Sequence, residues 1–321
     1  MAAVSLIDRI RYAPFHAQLV VTRRCNLSCG YCSEFDDHSD PVAYELLRGR
    51  IDKLAELGTL SLEFTGGEPL MQPRLFDLVE YATRHSHRFV QRKMITNAYL
   101  LNADKVKRLN DAGLTHMQIS LDGVETNDVT VKVLRPLRRK LAAVAANARF
   151  KVTLSAVIGA APSDEVVEIV DFAEQHGFRP RVLLLHDADG QIRLTSEQLA
   201  LFRNVQQRLG QRFEEAHDYR GRLMSGQPAP FRCRAGARYL YVDELGDVVW
   251  CSQTRNLFRK PLLQYGPADL AEQFRTRKPC SETCTVGCVR NDSKLDEWRS
   301  QDLPYDAPMR LPVIQPGAAG A

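Results

Sequence analysis

No apolar run in this 321-residue sequence approaches the ~18–20 residues that a bilayer-crossing helix requires. The first residues, Met1 to Arg11, lack the long apolar stretch and small-residue cleavage site of a secretory signal. Both absences point to the cytoplasm, where thiols stay reduced and clustered cysteines serve as metal ligands more often than as disulfides. An excess of one charge is missing too: the net charge is only +4, and basic residues are spread rather than striped. That argues against a nucleic-acid partner, and the densest basic patch, Arg135–Lys140, reads as a solvated loop or helix start. Cysteine itself is absent from positions 33 to 232. The eight cysteines fall into two groups, three at 25–32 and five at 233–288, which fits two metal sites better than scattered core residues.

What is present is ordinary in bulk: 44% hydrophobic and 26% charged residues, in a chain long enough for a barrel and a small appended module. Short apolar runs alternate with amphipathic ones from Ala17 to about Leu185, the pattern of repeated βα units. Strands are expected at Ala17–Val21, Leu60–Phe64, Lys93–Thr96, His116–Leu121, Lys151–Ile158 and Val182–Leu185. Helices are expected at Pro41–Leu57, Arg74–His85, Asn102–Ala112, about Leu137–Ala148, Asp164–His176 (with Ser163 as its N-cap) and about Ser196–His217. Six such units make a partial (β/α)6 barrel, TIM-like but two units short and therefore open at its seam. Ser225–Pro230 reads as a linker. Beyond it come a hairpin (Ala237–Asp243 turning into Val248–Cys251), a short helix near Ala268–Phe274 and a cysteine-dense loop. The division expected is 1–224 for the barrel, 231–300 for a small cysteine-rich α+β domain and 301–321 for a tail.

Cys25, Cys29 and Cys32 offer three thiolates to a site that wants four. A closed structural zinc site uses four N or S ligands, whereas a cubane [4Fe–4S] cluster on three cysteines keeps one iron open. The other acids or imidazoles close by are Glu34, Asp36, Asp37 and His38, and a zinc knuckle would need one of them. Function in parallel barrels collects at the C-terminal ends of strands. There the sequence carries Thr65-Gly66-Gly67-Glu68-Pro69, Thr96-Asn97, Ser120-Leu121-Asp122, Val157-Ile158-Gly159 and His186-Asp187. Paired glycines let backbone approach a ligand, and Glu68 is placed to receive an ammonium group. Taken singly, Gly66-Gly67 is also an ordinary tight turn, Asn97 a turn cap and Asp122 an Asx-turn residue.

The Cys-x3-Cys-x2-Cys loop after strand one, with Tyr31 before its last cysteine and Gly-Gly-Glu-Pro after strand two, resembles the radical S-adenosylmethionine superfamily over about Leu19–His186. The resemblance implies that Cys25, Cys29 and Cys32 hold a catalytic [4Fe–4S] cluster whose open iron takes S-adenosylmethionine. It implies that Gly66, Gly67 and Glu68 meet the methionine amino group, with Pro69 fixing the turn. Tyr31 and the Ile158 region would flank the adenine, and Asn97, Ser120 and Asp122 would contact ribose or carboxylate. Reductive cleavage would give a 5′-deoxyadenosyl radical that abstracts hydrogen from a substrate carbon, and a reducing partner such as flavodoxin or ferredoxin would supply the electron.

The second group, Cys233, Cys251, Cys280, Cys284 and Cys288, opens with Cys-x12-Gly-x4-Cys, which resembles the hairpin of the SPASM and twitch extensions. Five thiols suffice for one all-cysteine auxiliary [4Fe–4S] cluster, with Cys233 and Cys251 joined by two of the last three; a zinc ribbon is the alternative. Full cysteine ligation would favour electron transfer and a net oxidation. His186, Asp187 and Asp189 are candidates for a substrate-facing acid or base, against a polar turn as the plain reading. Only 24 residues precede Cys25, which favours a small-molecule substrate. The alternatives are radical maturation of a ribosomally made peptide, or a metal-binding interaction module without catalysis.

Overall fold

The computed structural model describes residues 10–32, 34–85, 87–185, 192, 194–210 and 219–296. The six expected strands form: β1 (His16–Thr22), β2 (Ser61–Gly66), β3 (Gln91–Thr96), β4 (His116–Ser120), β5 (Lys151–Ile158) and β6 (Arg179–Leu184). They pair in parallel, each with its predecessor. Strand β6 starts earlier than expected, because Pro180 reads as a strand breaker yet is tolerated on an edge strand, where no ladder donor is missed.

The crossovers carry α1 (Tyr44–Glu56), α2 (Leu75–Arg84), α3 (Ala103–Ala112), α4 (Arg138–Asn147), α5 (Ser163–Gln175) and α6 (Ser196–Arg208). Their spacing explains their docking: Leu47, Ile51 and Leu54 of α1 lie on one face and are fully buried against the sheet. Each such burial is worth about 1.5–3 kcal/mol. Asn102 caps α3 through its side chain, and Gly113 ends it with φ at 89°, as the sequence leads one to expect. Ser163 is the first residue of α5 rather than its cap. Helix α6 opens instead on a capping box between Thr195 and Gln198.

The C-terminal segment holds α7 (Tyr219–Met224), β7 (Tyr239–Val242), β8 (Asp247–Val249), β9 (Lys260–Pro261), α8 (Pro267–Arg275) and α9 (Gly287–Lys294). The expected hairpin is present as the antiparallel pair β7–β8. It also does something the sequence did not announce: β7 pairs in parallel with β1, His16 opposite Tyr239 through Leu19 opposite Val242. One sheet therefore runs β6-β5-β4-β3-β2-β1-β7-β8-β9. Buried Arg238 ties this junction down, bonding both Asp296 and the carbonyl of Ala13.

Side chains alternate across the barrel strands. Ala17, Leu19 and Val21, Leu62 and Phe64, and Met117 and Ile119 join the apolar core. Their neighbours His16, Gln18, Glu63, Lys93, His116 and Gln118 line a cavity of about 760 Å³ on the opposite face. Helix α9 stands across the open side of this partial barrel. Its Asp292 reaches His16 of β1, and its Gly287 lies beside Arg181 of β6.

Candidate active site

The cysteine loop leaves β1 at Thr22 and is held as a compact turn. Cys25 N donates to Asp36 O, Asp36 N to Arg23 O, and Cys32 N to Cys29 O. Burial raises the thiol pKa of Cys25 and of Cys32; Cys32 and Cys29 add to the rise at Cys25, and Cys29 to that at Cys32. Thiols held up in this way suit a positively charged centre that accepts thiolates. The nearby alternatives to a fourth thiolate are engaged elsewhere. Glu34 is bound by Tyr241 Oη and Arg255, and Asp36 accepts from Ser39 and from the His38 backbone. His38 and Asp37 pair with each other on the surface, with side chains 81% and 92% exposed. Three thiols without a fourth ligand beside them match the donor chemistry of a cluster on three cysteines, although among the described residues no three such side chains are gathered closely enough to hold a single metal ion.

Two other loops grip this one. From β2, Gly67 N donates to Thr22 O and Glu68 N to Arg24 O, both at 2.9 Å. Gly66 has φ at 141°, and a Cβ there would stand 2.0 Å from Thr22 O. The glycines are thus demanded by the approach of one loop to the other. Glu68 departs from expectation. It is fully buried, and its carboxylate accepts from Leu70 N, Asn97 N and Thr96 Oγ1 at 3.0, 2.8 and 2.8 Å. It holds the loop from within and offers no face to an ammonium group, so a ligand at this loop would meet backbone. Pro69 starts a 3-10 turn, Pro69–Met71.

Asn97, at the end of β3, points at the cysteine loop: Nδ2 donates to Asn26 Oδ1 at 3.0 Å and lies 3.7 Å from Cys25 Sγ. The loop after β4 grips from the other side, with Gly30 N donating to Val129 O and Thr130 Oγ1 lying 3.8 Å from Cys29 Sγ. Asp122 is fully buried here. Its Oδ2 accepts from Tyr31 Oη and Thr130 Oγ1, both at 2.7 Å, and pairs with Lys132 at 3.2 Å, while Oδ1 has no partner among the described residues. Lys132 also covers the Tyr31 ring, 4.9 Å from its centroid. Burial lifts the Tyr31 phenol well above its usual range. Burial works against the Lys132 charge, but Asp122 and Tyr31 overcome it and push its pKa up. Ser120 ends β4, two residues before Asp122.

The Ile158 expectation changes in one respect: the side chain itself turns with Leu154 and Ala156 into the apolar core and is 1% exposed, so only the backbone of this region is open to a ligand. His186, Asp187 and Asp189 lie outside the described residues. Lys132 and Thr130 escaped sequence reading because they sit mid-loop, in no motif. The polar cavity residues were legible as period-two alternation, with Glu63 between Leu62 and Phe64 and Gln118 between Met117 and Ile119.

Of the second cysteine group, Cys233 and Cys251 are buried in an apolar cluster with Val20, Tyr239, Tyr241, Val249 and Trp250. Burial raises the thiol pKa of Cys251, Cys280 and Cys284, and each also feels the charge of Cys233. Cys288 packs against the edge of the same cluster, beside Tyr239, and also lines the barrel cavity, where the charges that reach it come from Arg181, Asp292 and Glu63.

A family model described as the Radical SAM superfamily matches residues 19–187. The chain is 37% identical over 115 residues to a PqqA peptide cyclase of Bradyrhizobium diazoefficiens, covering 35% of this chain and 30% of that protein. It is 32% identical over 206 residues to a GTP 3′,8-cyclase of Parasynechococcus marenigrum, covering 56% and 59%. Both matches span less than two thirds of the relative's length. The crystal structure of Streptococcus suis SuiB bound to S-adenosylmethionine superposes with a TM-score of 0.64 at 19% identity, covering 87% of this chain and 74% of that one, which establishes the shared fold.

Proposed function

The chain belongs to the Radical SAM superfamily, an enzyme family that uses a [4Fe–4S] cluster and S-adenosylmethionine, and from that premise we propose that it modifies a peptide by radical chemistry. Bound together, the cluster and S-adenosylmethionine supply a 5′-deoxyadenosyl radical able to take hydrogen from carbon. Cys25, Cys29 and Cys32 would hold the cluster, Asn97 would steady the Cys25 thiolate, and the backbone of Gly66-Gly67 would meet the methionine end of the nucleotide. Asp122, oriented by Tyr31, Thr130 and Lys132, keeps one buried oxygen for a donor from the ligand.

The observation that carries the peptide reading is the relative named for a peptide substrate. It displaces the small-molecule expectation, which drew on the short segment before Cys25. The open-sided cavity also favours a substrate that enters partway, with the reacting residue inside and flanking residues outside. A nucleotide substrate is the second reading, favoured by the longer match to the GTP cyclase. We further assign an auxiliary [4Fe–4S] cluster to Cys233, Cys251, Cys280 and Cys284, leaving Cys288 as a cavity thiol; the shared field of the first four supports this.

The test is anaerobic incubation with dithionite and S-adenosylmethionine. 5′-Deoxyadenosine should appear, and alanine at Cys25, Cys29 or Cys32 should abolish it. Turnover with deuterated peptide and nucleotide candidates then separates the two readings: deuterium in 5′-deoxyadenosine from GTP alone rejects the peptide.

A further inference from the structure

The carboxylates among the described residues lining the barrel cavity are Glu63 and Asp292, and both are already matched. His16, itself buried, holds Glu63 at 3.2 Å through Nε2 and Asp292 at 3.4 Å through Nδ1. Gln18 adds a hydrogen bond to Glu63 at 2.6 Å. The cations of the same cavity have no such matching. Among the described residues, Arg179, Arg181 and Arg220 make no ion pair, and Lys93 adds its charge across the lumen.

Two of these cations converge. Gln118 Oε1 accepts from one Arg181 terminal nitrogen at 2.8 Å, which leaves the other directed at α9. A Cβ added at Gly287 would stand 3.3 Å from an Arg220 nitrogen, 3.4 Å from Tyr219 Oη and 3.6 Å from an Arg181 nitrogen. Two guanidinium groups and a hydroxyl thus meet at one point left open by a missing side chain. That hydroxyl is buried and, among the described residues, has no hydrogen-bond partner. Like charges do not converge in a half-buried cavity without cost, and a bidentate anion is what two guanidinium forks accommodate.

We infer that this end of the barrel cavity is a carboxylate subsite, with Arg181 and Arg220 as its fork and Tyr219 as a further donor, taking an acidic side chain of the peptide substrate. The inference rests on the peptide reading above and names the residue class that enters. Arg181 belongs to the last barrel strand and Arg220 to α7, so an occupying carboxylate would bridge these two elements.

Binding is measured on the full chain without S-adenosylmethionine or reductant, so that its failure is separable from failure of the radical reaction. The probes are N-acetylglutamate α-amide, its glutamine isostere, N-acetylalanine and tripolyphosphate, titrated by calorimetry or ligand-observed NMR. The glutamate amide should bind at least about tenfold tighter than the glutamine amide. Arg181→Gln and Arg220→Gln should each remove that preference, while Arg181→Lys keeps part of it at an unchanged unfolding midpoint. Equal binding of the two amides, absence of binding, or a preference that survives both glutamine variants overturns the subsite. Tighter binding of N-acetylalanine overturns the side-chain source in favour of a chain terminus, and tighter binding of tripolyphosphate overturns the acidic peptide in favour of a phosphate-bearing substrate.

Discussion

Gly67 lies against Arg23 so closely that a Cβ on it would stand 2.2 Å from the Arg23 carbonyl oxygen and 2.5 Å from that of Arg24. The obstacle is backbone on both sides, so no rotamer change relieves it. The loop after β2 and the cysteine loop are therefore one joint, and the position of Cys25 depends on a residue in another βα unit. Gly67→Ala should destabilise the fold by about 1–3 kcal/mol, the range of overpacking, and toward its upper end because backbone cannot yield. Thermal unfolding and iron content after anaerobic reconstitution check it: a lower midpoint and iron lost from the first site are expected. A variant with native iron content shows that the loops separate freely.

Glu68 extends the same joint inward to β3. Its carboxylate satisfies the backbone N–H groups of Leu70 and Asn97 and the hydroxyl of Thr96. Glu68→Gln keeps the shape but turns one acceptor into a donor facing a donor. A loss of about 1.5–3 kcal/mol is expected, as for a hydrogen bond to a charged group. S-adenosylmethionine binding should weaken with it, because Asn97 would lose its anchor. If stability falls while nucleotide affinity measured by equilibrium dialysis stays native, Asn97 does not depend on Glu68.

These joints mark the limit of what the sequence discloses. The six barrel strands were readable because apolar period and turn residues agree at each, down to Asn102 and Gly113 framing α3. The three thiols and Gly66-Gly67 were readable as motifs. The clamping roles were not, because Thr22 to Gly67, Gly30 to Val129 and Tyr31 to Asp122 are contacts between distant segments that no local pattern encodes. The β1–β7 pairing was hidden for the same reason, since Tyr239–Val242 reads equally as a free hairpin arm. Glu68 and Ile158 misled because position at a strand end does not fix which way a side chain turns.

Iron content tests the proposal that four of the five C-terminal thiols hold an auxiliary cluster and that Cys288 does not. Cys284→Ala should remove about four irons per chain, the content of one cubane, whereas Cys288→Ala should leave iron content unchanged. In the folded protein without clusters, burial lifts the Cys288 pKa up to about 12, so it should resist alkylation at neutral pH. Loss of iron in Cys288→Ala would put Cys288 into the ligand set in place of one of the others.

His16 gives the cavity floor a pH dependence whose direction follows from its partners. Burial opposes its charge, but Glu63 and Asp292 outweigh that and hold its pKa at about 9, above the ordinary 6.5. Burial likewise opposes ionised Glu63, and His16 with Gln18 brings it to about 2 from 4.5. A group whose pKa rises on folding stabilises below its unfolded value, so the His16 contribution is complete below about pH 6.5 and lost as pH climbs through about 9. Glu63 behaves oppositely: its contribution is present above about pH 4.5 and lost as pH falls through about 2. Both contributions overlap fully between those inner limits. His16→Gln strands two carboxylates, and removing one partner of a buried pair costs about 3–5 kcal/mol. The gap in unfolding midpoint between wild type and His16→Gln should therefore be widest near pH 5–6 and narrow steadily toward pH 9.5, where wild-type His16 has itself lost its proton. A gap that stays constant across that range would mean His16 is neutral in the fold, held by packing against Tyr239, 5.6 Å between ring centroids, rather than by charge.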